Sequence, residues 1–278
     1  MTVGHRPTLA EIEAARLVLA PWRWLTAPCF EGLEHVPTDR PFLLAGNHTL
    51  MGVLDAPLMV LGLHERRGVF VRALGDHLHF RVPVWRDLLS RFGVVDGTPE
   101  VVHALMAERE SILVFPGGAR EVFKRKGEQY RLLWGKRTGF AHLSIEHGYS
   151  IVPFSAVGAE DAFDILIDAD ELLASPVGPL IRQLAPRADV VAPVVRGIGP
   201  TMLPRPERFY FRFAPAIETQ PLAGQAGDEQ VCFALREQVR LAIEEGITAL
   251  LIERERDPDR ALLPRMIDRF GRRRRTGA

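Results

Sequence analysis

A chain of 278 residues, 47% hydrophobic and 25% charged, is long enough to bury a core in one large domain or two small ones and is too apolar to be disordered. Its 35 basic and 35 acidic residues cancel, so no overall field favours nucleic acid or a polyanionic substrate, and any charged partner is met locally. The two cysteines, Cys29 and Cys232, lie far apart without metal-ligand spacing, which suits a reduced compartment and gives no sign of a metal.

The first residues, Met1 to Pro7, lack the apolar stretch and small-residue cleavage site of a secretory signal, so a cytoplasmic location is expected. The longest run free of Asp, Glu, Lys and Arg is about fourteen residues, short of the ~20 that a spanning helix requires. The chain is therefore expected to lie on a membrane surface at most. Residues 8–20 read as a helix that ends at Pro21, with Thr8 as its cap and Glu11 completing a capping box. Next, Trp22 and Trp24 flank Arg23, a mixture found at membrane interfaces and in ordinary hinge packing alike.

From Phe30 onward, short apolar runs (Phe42–Ala45, Gly68–Arg72, Ser111–Phe115, Ser150–Ser155, Phe209–Phe213) alternate with helical patterns (Asp55–His64, Pro99–Arg109, Lys136–His147). That alternation predicts an α/β fold, a central and largely parallel sheet flanked by helices. The Pro-rich stretch 170–206 reads as short helices and loops at the sheet edge, and residues 228–256 return to helix. The expected organisation is an N-terminal helical or interfacial segment (1–29), an α/β core (30–220), and C-terminal helices with a basic tail packed on that core (221–278). The tail, Arg265 to Arg275, reads as a solvated terminus or as an attraction for anionic headgroups worth about 1 kcal/mol per basic residue.

Ligand sites in open α/β sheets gather outside the carboxyl ends of strands. Two such ends carry reactive side chains: Gly46-Asn47-His48, and Phe115-Pro116-Gly117-Gly118-Ala119-Arg120-Glu121. Paired glycines let a backbone turn tightly and present N–H groups to an anion or oxyanion. The set amounts to a base, an anion-binding loop and an arginine. The chain has neither the G-x-S-x-G of a nucleophile elbow nor the G-x-x-x-x-G-K-[ST] of a nucleotide phosphate loop.

In order, Asn47-His48 with Asp55 downstream, Phe115 to Glu121, Trp134-Gly-Lys-Arg-Thr-Gly-Phe-Ala141 and Ile151-Val-Pro-Phe-Ser155 resemble the lysophospholipid/glycerolipid acyltransferases of the PlsC type. The nearest branch is the neutral-lipid one, with diacylglycerol acyltransferases and phytyl ester synthases. The resemblance implies a glycerolipid acyltransferase-like fold with no cofactor and no metal. Acyl-CoA or acyl-ACP would be the co-substrate and a lipid alcohol the acceptor, at the cytoplasmic membrane face and without nucleic acid. It implies His48 as general base, Asp55 as its catalytic partner, and Asn47, Phe115, Pro116, Gly117, Gly118, Arg120 and Glu121 as the substrate-binding set.

Two departures from the common pattern bear on chemistry. Six residues separate His48 from Asp55 where four are usual, so Asp55 reaches the imidazole only if Thr49–Gly52 is looped; Asp76 is the substitute. The common Phe-Pro-Glu-Gly-Thr-Arg-Ser is here Phe-Pro-Gly-Gly-Ala-Arg-Glu. A carboxylate beside Arg120 would weaken its hold on a phosphate and favour an uncharged alcohol acceptor; a surface pairing of Glu121 with Arg120 or Lys124 is the alternative. A catalytically silent lipid-binding protein and an acyl-thioesterase remain the competing functions.

Overall fold

Apolar runs without polar alternation become central strands because both faces of the sheet are covered. The computed structural model describes residues 4–267, apart from Val82, Pro186 and the side chains of Leu78, His79, Trp85 and Ala188. The strands are β1 (Cys29–Glu31), β2 (Phe42–Gly46), β3 (Val71–Gly75), β4 (Val95–Asp96), β5 (Ser111–Val114), β6 (Ser150–Val157), β7 (Asp164–Ile167), β8 (Val194–Arg196) and β9 (Tyr210–Phe213). The helices are α1 (Leu9–Thr26), α2 (Ala56–Arg67), α3 (Pro83–Arg91), α4 (Pro99–Ala107), α5 (Ala119–Val122), α6 (Gly139–His147), α7 (Ala169–Ala174), α8 (Gly178–Leu184) and α9 (Glu229–Arg256). Among the described residues a seven-stranded sheet runs β1-β9-β6-β2-β5-β3-β4. Its pairs are parallel except β6 with β9, as the alternating pattern predicts.

Strand residues alternate between two apolar layers. Leu43, Ala45, Ile112 and Ile151 face a core completed by α4, α6 and α9, while Phe42, Leu44, Leu113 and Val152 face one completed by α2. The long helix α9 lies close on β6 because Gly246 has no side chain: a Cβ there would sit 2.3 Å from Ser155 Oγ, which donates to the Ile243 carbonyl at 2.8 Å.

Helix α1 forms the predicted Thr8–Glu11 capping box but runs on past Pro21 to Thr26. Proline removes one helical hydrogen bond. Beyond it the Trp22 indole N–H donates to the Leu54 carbonyl at 2.9 Å and its ring packs edge-on against Phe209, which holds the last turns in place. The strand expected at Gly68–Arg72 is displaced to Val71–Gly75, since Gly68, at φ +69°, caps α2 through its N–H to the His64 carbonyl. Within 170–206, α7 and α8 match the expected short helices, but β8 pairs with β7 in a separate two-stranded sheet. Strands this short leave no periodicity to read.

Glu31 on β1 meets Arg212 at 3.2 Å and shares a hydrogen bond with Glu253 on α9, an interaction that raises the Glu253 carboxyl to about 7. A carboxyl raised in the folded state contributes stability that is complete below its ordinary value and lost as pH rises through the folded one. Between about pH 5 and pH 8, therefore, the thermal midpoint of the wild type should fall relative to that of Glu253→Gln. Parallel curves would show that the proton is not shared.

Candidate active site

The site is assembled where β2 and β5 end. A Cβ at Gly46 would fall 2.2 Å from the Phe154 ring, so only glycine lets β2 finish beneath that ring. Asn47, fully buried, binds both backbone groups of Ala156, donating to its carbonyl at 2.9 Å and accepting its N–H at 2.8 Å. It clamps β2 to β6 rather than facing a substrate. The His48 imidazole stacks on Phe115 with centroids 3.9 Å apart and planes 11° from parallel, and Phe115 leans edge-on against Phe154.

The segment after His48 is looped, with Met51 and Gly52 both at φ +64°. A Cβ at Gly52 would lie 2.6 Å from His48 Cε1, so any side chain there collides with the imidazole. The loop folds Asp55 back as expected, but onto Thr49, whose hydroxyl donates to Asp55 Oδ1 at 2.8 Å. The same oxygen accepts the Ala56 N–H at 2.9 Å, making Asp55 the cap of α2, and burial raises its carboxyl above the ordinary range. Among the described residues no hydrogen bond joins Asp55 to the His48 ring; the link runs through the loop. Asp76, the substitute, is held by Arg187 at 2.7 Å.

In the Pro116-Gly-Gly turn, Gly118, at φ +53°, donates its N–H to the Phe115 carbonyl at 2.9 Å. A Cβ at Gly117 would lie 2.1 Å from Glu121 Cδ, so a side chain at 117 and the Glu121 carboxylate exclude each other. Glu121 has no exposure. One of its oxygens accepts the His48 N–H and the other the Leu133 N–H, both at 2.8 Å. Lys124, also buried, donates to the His48 carbonyl at 3.3 Å and pairs with Glu160, which accepts the Tyr130 N–H at 2.6 Å. Burial raises the carboxyls of Glu121 and Glu160, partly offset by the Lys124 ammonium.

Arg120 is only partly exposed and pairs with Glu128, not with Glu121, which turns inward. Burial alone would raise Glu128, but the bonds from Arg120 and from the Arg125 N–H hold it below the usual carboxylate range. Arg137 donates one nitrogen to the carbonyls of Pro116 (3.1 Å) and Gly117 (2.6 Å), bracing the turn from outside. Lys124, Glu160 and Arg137 were not among the expected site residues. Arg137 stands inside the Trp134–Ala141 motif, whereas Lys124, in Phe-Lys-Arg-Lys, looks like part of a solvated basic run.

His48, Gly52 and Phe115 form one wall of a cavity of about 380 Å³. Val18 and Leu19 of α1, Val60 and Leu61 of α2, Ala73 of β3, and Leu88 and Leu89 of α3 form much of the rest. An imidazole thus stands on the wall of a hydrocarbon-lined chamber at the carboxyl ends of parallel strands, where ligand sites of such sheets gather.

Residues 27–157 match the family model Acyltransferase, so this part of the chain carries the acyltransferase domain that its motifs resemble. It is 32% identical over 254 residues to phytyl ester synthase 2, chloroplastic, of Arabidopsis thaliana, covering 84% of this chain and 36% of that protein. Phytyl ester synthase 1 of the same plant is 30% identical, with 85% and 36% covered. The human DGAT1/2-independent enzyme synthesizing storage lipids is 27% identical over 132 residues, 48% of this chain and 40% of that one. The chain thus spans little more than a third of the length of its plant relatives. The crystal structure of the 1-acyl-sn-glycerophosphate (LPA) acyltransferase PlsC from Thermotoga maritima aligns with TM-score 0.44 at 17% identity, covering 86% of this chain and 81% of that one.

Gly117→Ala tests the turn directly. The methyl group must push the Glu121 carboxylate away, taking the His48 peptide with it, and a displacement near 1 Å at such a site costs roughly 10²-fold in rate. Gly139→Ala, where a Cβ meets nothing within 4 Å, is the matched control and should keep the wild-type rate. Equal activity of the two folded variants would show that the Glu121 contact does not position His48.

Proposed function

We propose that the protein moves a fatty acyl group from an acyl thioester, acyl-CoA or acyl-ACP, to a hydroxyl of a glycerolipid or another lipid alcohol, with His48 as general base. The observation that carries the reading is the His48 imidazole on the wall of the apolar cavity. A chain lying in that cavity brings its polar end to the base. His48 takes the hydroxyl proton as the acceptor oxygen attacks the thioester carbonyl. The tetrahedral intermediate then expels the thiolate, the C–S bond breaks, and the proton passes from the imidazolium to the departing sulfur. Imidazole titrates near neutrality, which suits both transfers, and no covalent enzyme intermediate is needed.

The pairing of Arg120 with Glu128 supports an uncharged acceptor, because a carboxylate already neutralises the guanidinium that a phosphate would need. Access to a bilayer is supported at the cavity rim. Val18, Val53, Leu88 and Phe92 line the cavity and are also well exposed, with Leu9 and Val84 exposed on the neighbouring α1 and α3. Isolated apolar side chains on a surface are ordinary, but a group around a cavity mouth fits reversible interfacial binding. No helix among the described residues is long and apolar enough to cross a membrane. Trp22 packs inside, leaving the half-exposed Trp24 to meet the interface, and Arg272–Arg275 lie outside the described residues.

With labelled acyl thioester and a long-chain alcohol or diacylglycerol, the wild type should form labelled ester, and His48→Ala should form it roughly 10²–10⁴ times more slowly while keeping its fold. Free acid formed without acceptor would identify a thioesterase, and bound but unchanged thioester a lipid-binding protein. Binding to vesicles should rise with anionic lipid content, weaken with salt, and decline when residues 272–275 are deleted. Binding indifferent to lipid charge and to that deletion would leave the tail without a membrane role.

A further inference from the structure

At the opposite end of the sheet a second cluster of polar side chains has no part in acyl transfer. His48 and the glycine turn follow the carboxyl ends of β2 and β5, whereas α6 ends at His147 just before the amino end of the parallel strand β6. There His103 of α4 and Glu146 and His147 of α6 converge. His103 Nδ1 and His147 Nε2 are 2.8 Å apart, Glu146 Oε2 is 4.0 Å from His103 Nδ1, and one ligand atom from each of the three lies within 4.8 Å of the others. His142, one turn before Glu146 on α6, has its Nε2 3.4 Å from Glu146 Oε2.

The hydrogen-bond roles leave this corner rich in lone pairs. The Ala226 carbonyl, 2.7 Å from His142 Nδ1, can only accept, so that nitrogen carries a proton and Nε2 is the ring nitrogen that faces the Glu146 carboxylate. Between His103 Nδ1 and His147 Nε2 one proton at most fits, leaving the other nitrogen as a pure acceptor. Two imidazole nitrogens and a carboxylate oxygen, with a third imidazole behind the carboxylate, are the ligands zinc takes. Metal–ligand bonds of ~2.0–2.1 Å place tetrahedral donors roughly 3.3 Å apart. The observed spacings bracket that value, and the half-exposed His103 and Glu146 side chains can adjust to it.

We propose that His103, Glu146 and His147 bind a zinc ion, with water as the fourth ligand and His142 orienting the carboxylate from behind. The ion would tie α4 to α6 close to where the hydroxyl of Tyr149, two residues past α6, donates to the carbonyls of Met106 and Glu110 at and beyond the end of α4. The site escapes the cysteine spacing that suggested no metal, because its ligands are two histidines and a glutamate from segments some forty residues apart.

Titration of the full chain with Zn²⁺, followed by calorimetry and by thermal unfolding, tests this. One equivalent should bind saturably and raise the unfolding midpoint, an effect reversed by EDTA. His103→Ala and His147→Ala should each weaken binding at least about tenfold and abolish the zinc-dependent rise, and His142→Gln should weaken it less. His103→Gln serves if the alanine variant does not fold. Absence of saturable binding would overturn the proposal. Binding that survives both alanine substitutions would overturn it too, by placing zinc elsewhere.

Discussion

A single buried carboxylate organises the active end of this molecule. Glu121 accepts one backbone N–H from the segment leaving β2 and another from Leu133, so the His48 peptide and the stretch leading to Trp134 are fixed relative to the glycine turn after β5. An unpaired carboxylate in that position would not survive burial. Two N–H donors and the nearby Lys124 ammonium make it tolerable. The demand spreads outward. Position 117 must lack a side chain, Lys124 must be buried, and Glu160 must be there to receive it.

The same framework separates polar from apolar work. Backbone clamps and the Lys124–Glu160 pair lie on the sheet side of His48, whereas its opening toward α1, α2 and α3 is almost wholly hydrocarbon. Phe115 belongs to both sides: it supports the imidazole by stacking, rests on Phe154, and lines the cavity. Helix α1 closes the cavity and, through the Trp22 indole on the Leu54 carbonyl, also holds the loop that carries Asp55. In the proposed reaction an imidazole held this way would meet its substrate in a water-poor setting, where proton transfer and charge stabilisation count for more than in solvent.

Much of the fold was legible in the sequence because its strands are buried on both faces and its helices carry ordinary start and stop signals. The continuous apolar run at Phe42 and the capping box at Thr8 are examples. Residues 27–157 could be placed in a family because the His48 and Pro116-Gly-Gly segments stand in a recognisable order. Direction was harder to read than position. Asn47 and Glu121 sit in the motif beside reactive neighbours, yet both turn inward to bind backbone, and nothing in a one-dimensional pattern says which way a polar side chain points. Lys124 was hidden for the opposite reason, since a lysine between Phe123 and Arg125 gives no sign that its ammonium is enclosed. Short strands such as β4 and β8 depend on partners distant in the chain and leave no local trace.

In the proposed reaction an acyl chain occupies the cavity beside His48 with its reacting carbon at the imidazole. A structure of the His48→Ala protein with a bound long-chain acyl thioester would test it most directly. The account predicts the hydrocarbon between α1, α2 and β3, with the thioester carbonyl beside residue 48 and the Gly117–Gly118 turn. A chain bound elsewhere, or a thioester group remote from that turn, would contradict it.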